Sequence, residues 1–502
     1  MKTIRENIST TFLTLVVVFL STAIDIQAHD SLPTIAITTT TPLNPWQKVP
    51  AHMKADGYDG PIGIKWRGNS SMGFNQKKYT IETRDDSGKE VNVSLLGLPA
   101  HSKWVLLAPY NDISTIRDPL AFQLWRDMGY WGPRTVMCEV TVDGQYRGIY
   151  ILSEAIKRGP DRVNISKLKK TDIEGRELTG GYLLRIDTFN ESDATFTSKL
   201  PGIGKGIMSS DVIWSCIYPK KKNLQPEQMA YIQNYVDTVE QVIQSDHFAD
   251  PKRGYAHYID VPSFVDYFIH TELTLNPDAY RRSAYFYKEK QRADGTGGKL
   301  FAGPVWDYNY AFGNSTLANA ANVESWCYEG GSNNPTPAMW QRLLQDPAFR
   351  KAVKQRYEQL RKGPLSLDSL YAYIDRHSQL IDEAKERHFQ TFPELLVNEG
   401  ENASPNMQFS MVGMFAAYRV SSYDEEIAIL KRWLSERLAF LDRHISRFDT
   451  DWQPTIQPLI EKKMQFPSFP SGFPGGGFPG GGFPGGGFPG GGFPGGGFPG
   501  GF

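Results

Sequence analysis

The chain has 502 residues, 40% hydrophobic and 13% aromatic, enough to build one large lobed enzyme domain or about two or three smaller ones. Its formal net charge is −1, from 54 basic and 55 acidic side chains, which excludes a basic footprint for nucleic acid and an acidic tail. Its three cysteines, Cys138, Cys216 and Cys327, lack zinc-ligand spacing and read as buried thiols, with one disulfide and one free thiol as the alternative in an exported chain.

Lys2 and Arg5 precede the apolar run Thr11–Ala23, which is too short to span a bilayer comfortably. This pattern reads as a secretory signal over residues 1–28, cleaved near Ala28, with an uncleaved anchor as the rival. No later stretch is long and apolar enough to form a transmembrane segment, so the expected location is secreted or cell-surface. Thr34–Thr40 carries a strand signal, and residues 29–61 are expected to supply edge strands covering a β-rich lobe.

Ile62–Glu82 reads as a hairpin. IGIKW alternates as a strand, and Arg67-Gly68-Asn69-Ser70-Ser71 forms a turn of small and hydrogen-bonding residues. Backbone N–H groups in such a turn can face phosphate oxygens, although an ordinary hairpin has the same pattern. Lys77 and Lys78 open the returning strand, KKYTIET. Strand character returns over Leu95–Pro109, and Ile113–Met128 predicts a helix capped by Asn111, Asp112 and Ser114. Met137–Val142 and Tyr146–Ser153 flank Asp143-Gly144, a strong hairpin signal.

Gly180–Thr188 predicts a strand whose acid, Asp187, reads as a strand-end cap. Lys199–Ser210 is rich in Gly and Ser and has no period, as in a mobile loop. Gln225–Gln244 has helical spacing at Ile232, Tyr235, Val239 and Val242, and Pro262–Leu275 predicts a second helix. This helix runs into NPDAYRRS (276–283). A strand, AYFYKEK, and a Gly-rich turn then lead to GPVWDYNYAFGN (303–314), expected as a strand ending in a loop. Asp278 and Asp307 would therefore sit at two ends of one hairpin. Asp307 and Asn309 offer oxygen ligands suited to Mg²⁺, which takes a few protein oxygens and completes its shell with phosphate. The plain alternative is a buried strand with Asp307 as a turn cap. Met339–Arg361, Leu365–Arg387 and Tyr423–Phe448 predict long helices. From Phe466 the chain becomes FPGGG repeats to Phe502, a disordered tail that cannot build a core and suits tethering, self-association or matrix binding.

RGNSS, KKYTIE, LLGLP, SKWVLLAPYNDISTIRD, YRGIYILSEAIKRGPDRVNI, GGYLLRID, NPDAYRRS and GPVWDYNYAFGN occur in that order. Together they resemble the spore-coat protein H (CotH) family of secreted atypical protein kinases over roughly residues 32–447. The resemblance implies an α+β, kinase-like two-lobed fold over 62–450, with a β-rich N-lobe and a helical C-lobe. It implies ATP with Mg²⁺ or Mn²⁺ as cofactors and an exported protein as substrate. Lys77 would hold the α- and β-phosphates beside the turn carrying Arg67 and Ser70, with Asp118 as a partner for Lys77. Glu154 would mark the hinge that meets adenine. Asp307 would ligate the metal with Asn309, and Asp278 would orient or deprotonate the acceptor hydroxyl. One departure is Ser283, which stands where kinases carry an Asn as a second metal ligand. The same residues allow AMP transfer or ATP-dependent ligation, or a non-catalytic coat, matrix or adhesion protein on this scaffold. The sequons at Asn69 and Asn314 fall in the candidate nucleotide loops and are expected to carry no glycan.

Overall fold

A computed structural model describes residues 31–203, 211–330, 336–397, 416–450 and 452–456. The expected signal segment 1–28, residues 204–210 of the Gly/Ser-rich stretch and the tail 466–502 lie outside the described residues. Among those described, no helix is long and apolar enough to cross a membrane. The three cysteines are free thiols.

The first half is a closed barrel. Strands β1 (Thr34–Thr39), β2 (Val49–Ala55), β3 (Tyr58–Arg67) and β4 (Lys78–Thr83) are followed by a small hairpin, β5 (Val93–Leu95) and β6 (Leu98–His101). Then come β7 (Lys103–Leu107), β8 (Thr135–Val142) and β9 (Gln145–Glu154). The barrel order is β1-β2-β3-β4-β7-β9-β8, closed where β1 runs parallel to β8. The β8–β9 turn has Asp143 and Gly144 both at positive φ, 52° and 74°, as a two-residue hairpin requires. Alternation fills the interior: Ile62 and Ile64, Tyr79 and Ile81, Trp104 and Leu106, and Tyr150 and Leu152 are buried in one cluster. Residues of opposite parity on β7 and β9, Val105, Leu107, Ile149 and Ile151, belong instead to the core of the second half.

Residues 29–61 are therefore not edge strands covering a lobe. β1 and β2 are staves of the barrel, and β3 runs unbroken through Pro61 and Ile62. Closure removes the unpaired edges that an open sheet would expose.

The second half packs helices around a five-stranded antiparallel sheet. Helix α1 (Arg117–Asp127) lies between β7 and β8, and a one-turn helix, α2 (Gly175–Leu178), follows the barrel. Strands β10 (Tyr182–Ile186), β11 (Ala194–Thr197), β12 (Gly202–Ile203) and β13 (Ile213–Tyr218) precede helices α3 (Pro226–Gln244) and α4 (Val261–Thr274). The hairpin β14 (Ala284–Lys288) and β15 (Leu300–Ala302) completes the sheet in the order β11-β13-β10-β14-β15, and β16 (Thr336–Pro337) pairs with β12. Helices α5 (Ala338–Gln345), α6 (Pro347–Arg361), α7 (Leu367–Leu380), α8 (Asp382–Thr391) and α9 (Tyr423–Ile445) follow.

Two expected long helices are each broken. Pro347 has no N–H and forces Asp346 out of helical geometry, to φ −78° and ψ 117°, where its carboxylate caps α6 through the Ala348 N–H. Ile381 divides α7 from α8. On α3 the buried stripe is Ile232, Val236, Val239 and Ile243, and Tyr235 and Val242 flank it. Residues 303–314 form a loop rather than a strand, because β15 ends at Ala302.

Arg117 joins the parts that carry this loop. It is fully buried. Its guanidinium bonds the Asp112 carboxylate at 2.6 Å, Glu426 of α9 at 2.5 Å, the Tyr418 hydroxyl at 2.7 Å and the Ala311 carbonyl of the 303–314 loop at 3.1 Å. Removing one member of such a network leaves buried charge uncompensated. Arg117→Met is expected to destabilise the protein by about 3–5 kcal/mol, read as a large drop in the thermal unfolding midpoint. A midpoint close to that of the parent protein would show that the network carries no such energy.

Candidate functional site

The site lies where the outer face of β3 and β4 meets the loops at the ends of the β14–β15 hairpin. β3 and β4 pair with Arg67 opposite Lys78, Lys65 opposite Thr80 and Gly63 opposite Glu82. These residues share the outer, polar parity of the barrel. The intervening turn contains a single 3₁₀ turn, Ser70–Gly73, begun by Ser70. Gly68 in this turn has φ +124°, and a Cβ there would stand 2.1 Å from the Ser71 hydroxyl, so only glycine fits.

Lys77 and Lys78 part company because consecutive strand residues face opposite ways. The Lys77 amine turns away from Asp307 to the Met72 and Phe74 carbonyls, at 2.7 and 2.5 Å, and lies over the Trp66 ring. The Lys78 amine, nearly buried, stands 3.7 Å from Asp307 Oδ1. The lysine that reaches the acid of the loop is therefore Lys78, and Lys77 braces the turn.

Gly303-Pro304 starts the Asp307 loop. Gly303 has φ +95°, and a Cβ there would press to 2.4 Å from the Trp125 ring, so glycine lets the loop lie against α1. Asp307 itself has φ +68°, a left-handed conformation that Asp tolerates better than most residues. Leu275, Ser283 and Phe312, around the same two loops, also have positive φ. Such clusters of constrained backbone concentrate at functional sites. Arg67 places its guanidinium 5.2 Å from the Trp306 ring centroid.

Asp118, in the first turn of α1, backs the pair. It is buried and accepts the Tyr308 N–H at 2.6 Å, which pins the loop one residue past Asp307. Burial, reinforced by the negative charge of Asp307, pushes its pKa from an ordinary 3.8 up to about 7, against the pull of Lys78. The lysine whose charge acts on Asp118 is thus Lys78, whereas the sequence pairs Asp118 with Lys77. An acid protonated in the folded chain but ionised in the unfolded one loses stability as pH rises between these two values. Asp118→Asn is therefore expected to reduce the loss of thermal stability between about pH 4 and pH 7. An unchanged pH profile of the unfolding midpoint would show that Asp118 does not titrate there.

Asp278 occupies the loop between α4 and β14. Burial raises its pKa, as do the charges of Asp307 and Asp187, while Arg282 and Arg281 oppose the rise from 3.8 and 3.9 Å. The hairpin thus brings Asp278 and Asp307 into one electrostatic neighbourhood. Asp187 joins them from the end of β10. It accepts the Thr188 N–H, as a cap would, yet it also lies 3.2 Å from Arg185 Nε and its charge reaches Asp278. The sequence alone reads it as a strand-end cap. Its sequence signal is a strand-end acid in GGYLLRID, the same signal that marked Asp307.

Asn309 and Glu154 are committed elsewhere. The buried Asn309 amide donates to Asn111 Oδ1 at 2.8 Å, leaving its own oxygen as its free ligand atom. Glu154 ends β9 fully buried, with its carboxylate held by Arg134 at 2.6 Å and by Arg162. Any contact to a ligand there falls to main-chain groups. Asn314 spends its amide nitrogen on the Asn111 and Asn309 carbonyls, at 2.7 and 2.8 Å, so glycosylation would have to break both bonds. Among the described residues, no three His, Cys, Asp or Glu side chains converge as a ready-made metal cage. The arrangement can hold an anion between Arg67 and Lys78, and a cation on Asp307 only with oxygens from elsewhere.

The family described as CotH kinase protein matches residues 64–441. The inner spore coat protein H of Bacillus subtilis (strain 168) is 22% identical over 314 residues, which cover 62% of this chain and 74% of that protein.

Proposed function

Because the chain belongs to the CotH kinase protein family, we propose that it transfers phosphate from ATP, with Mg²⁺ or Mn²⁺, to exported or coat proteins. The observation that carries this reading is the 3.7 Å approach of Lys78 on β4 to Asp307 in the loop after β15, with Asp278 in the loop before β14. Phosphoryl transfer requires little beyond positioning and charge stabilisation. Arg67 and Lys78 would neutralise phosphate oxygens, and Asp118 pins the Asp307 loop beside Lys78 through the Tyr308 N–H. Asp307 would hold the Mg²⁺ or Mn²⁺, which would supply positive charge to the phosphate being transferred. Asp278 orients the acceptor hydroxyl, and its raised pKa suits proton acceptance. In this reading the barrel is the nucleotide-covering lobe, and the chain leaving Glu154 is the hinge.

Export is the reading that best joins the N-terminal pattern to the coat location named for the Bacillus relative. The FPGGG tail then serves as a tether or a self-association segment, since many weak Phe contacts on one flexible chain give avidity.

Incubation with γ-labelled and α-labelled ATP and candidate exported proteins tests the reaction. Label from the γ-position alone on the acceptor is expected, and α-label would mean AMP transfer. Asp278→Asn should keep the nucleotide-dependent thermal shift and lose about 10²–10⁴-fold in transfer. If ATP with metal produces neither a thermal shift nor transfer in the parent protein, the fold is a scaffold and the reading fails.

A further inference from the structure

Beside the candidate site, two basic runs far apart in sequence converge on one ring. Arg158 places its guanidinium 5.5 Å from the Tyr218 ring centroid, and the Tyr218 hydroxyl accepts the Leu168 N–H at 3.1 Å. Gln228 of α3 fastens the same segment by donating to the Lys169 carbonyl at 2.7 Å. Lys167, Lys169 and Lys170, all exposed, are thereby brought next to the turn that follows Tyr218, where Lys220, Lys221 and Lys222 are exposed as well. Of the acids nearby, Glu289 spends a carboxylate oxygen on the Ser166 N–H at 2.7 Å. Asp172 directs its carboxylate to the Lys169 N–H, leaving that lysine's amine in solvent.

The surface continues toward the candidate site at both ends. Lys157, three residues past Glu154, has an exposed side chain, and desolvation together with the cations Lys220, Arg67, Lys103 and Lys48 pulls its pKa down to about 8. On the other side, Lys221 donates to the Glu191 carbonyl at 2.7 Å. That bond ties the platform to the loop 187–193, which carries Phe189, 62% exposed, and begins at Asp187, whose charge is felt at Asp278. The cationic surface therefore leads past an exposed aromatic ring to the acid that would receive the acceptor.

We propose that the platform formed by residues 157–170 and 220–222 docks an acidic, Asp/Glu-rich segment of the protein acceptor, with Phe189 as an apolar contact on the way to Asp278. This inference rests on the phosphotransfer reading for the identity of the acceptor, but the docking itself can be measured without turnover. A chain of overall charge −1 that gathers this many unneutralised lysines on one face has concentrated its positive charge where complementary charge can steer a partner.

The test uses the full chain and a fluorescein-labelled Glu-rich peptide containing one Ser, followed by anisotropy without ATP. The peptide is expected to bind with an affinity that falls as salt is raised, and a neutral Gly/Ser peptide is expected not to bind. The combined variant Lys220→Glu, Lys221→Glu, Lys222→Glu should weaken peptide binding by about tenfold or more, with the unfolding midpoint and the ATP-dependent thermal shift unchanged. In turnover it should raise KM for a Glu-rich acceptor while kcat holds. Equal peptide affinity in parent and variant overturns the proposal. So does a preference for a phosphoserine peptide, single-stranded DNA or anionic vesicles over the Glu-rich peptide. Peptide binding that the variant loses, in a protein that transfers no phosphate, would leave the docking surface standing and remove the kinase reading.

Discussion

Asp307→Ala is expected to abolish metal-dependent nucleotide binding and to reduce phosphoryl transfer by about 10³-fold or more, the scale of a lost metal ion at a developing phosphoryl charge. The side chain is 40% exposed, and its 3.7 Å contact to Lys78 is long, so the ion pair contributes little to stability. The fold should therefore survive. The backbone at φ +68° adds a complication, because Ala tolerates that conformation less well than Asp. Asp307→Asn keeps the conformational preference and removes the charge. Both variants should fail to show an ATP-dependent thermal shift in Mg²⁺, and the Asn variant should unfold at nearly the parent temperature. Parent-like ATP affinity in the presence of metal would remove Asp307 from the site.

The second large effect separates two adjacent lysines. Lys78→Met should lower transfer by about 10²–10³-fold, because the amine beside Asp307 is the cation placed to meet phosphate oxygens. It should also raise the pKa of Asp118 above about 7, since Lys78 is the nearby charge that holds it down. Lys77→Met removes two bonds to the carbonyls of the turn and leaves the cleft untouched. Its expected cost is about 1 kcal/mol of stability, with kcat nearly unchanged. The comparison is read from single-turnover rates and unfolding midpoints of the two variants. The reverse outcome, with Lys77→Met inactive and Lys78→Met active, would mean that β4 presents its other face to the nucleotide.

The choice between these lysines was open to a closer reading of the sequence. In KKYTIET, Tyr79 and Ile81 are the apolar positions, so Lys77 shares their parity and Lys78 shares that of Thr80 and Glu82. The polar parity faces the cleft, and the alternation alone separates the two. The family motif drew the reading to Lys77 against this local signal. Asp187 was similarly visible as a strand-end acid, but the strand that brings it beside Asp278 pairs with β14, roughly a hundred residues later in the chain.

Local patterns in the sequence by themselves determined the β3–β4 and β8–β9 hairpins, helices α1, α3, α4 and α9, and the ordering of Asp278 and Asp307 about a hairpin. Each follows from the alternation, spacing or turn chemistry of residues close in the chain. The family resemblance was equally readable, because its motifs are contiguous runs. Tertiary structure alone decided that β1 pairs with β8 to close a barrel, that Arg117 ties α9 to the Asp307 loop, and that the lysines of 167–170 meet those of 220–222 around Tyr218. These contacts join segments about fifty to three hundred residues apart, and no local period encodes them. They depend on which surfaces remain to be buried once the local elements have formed.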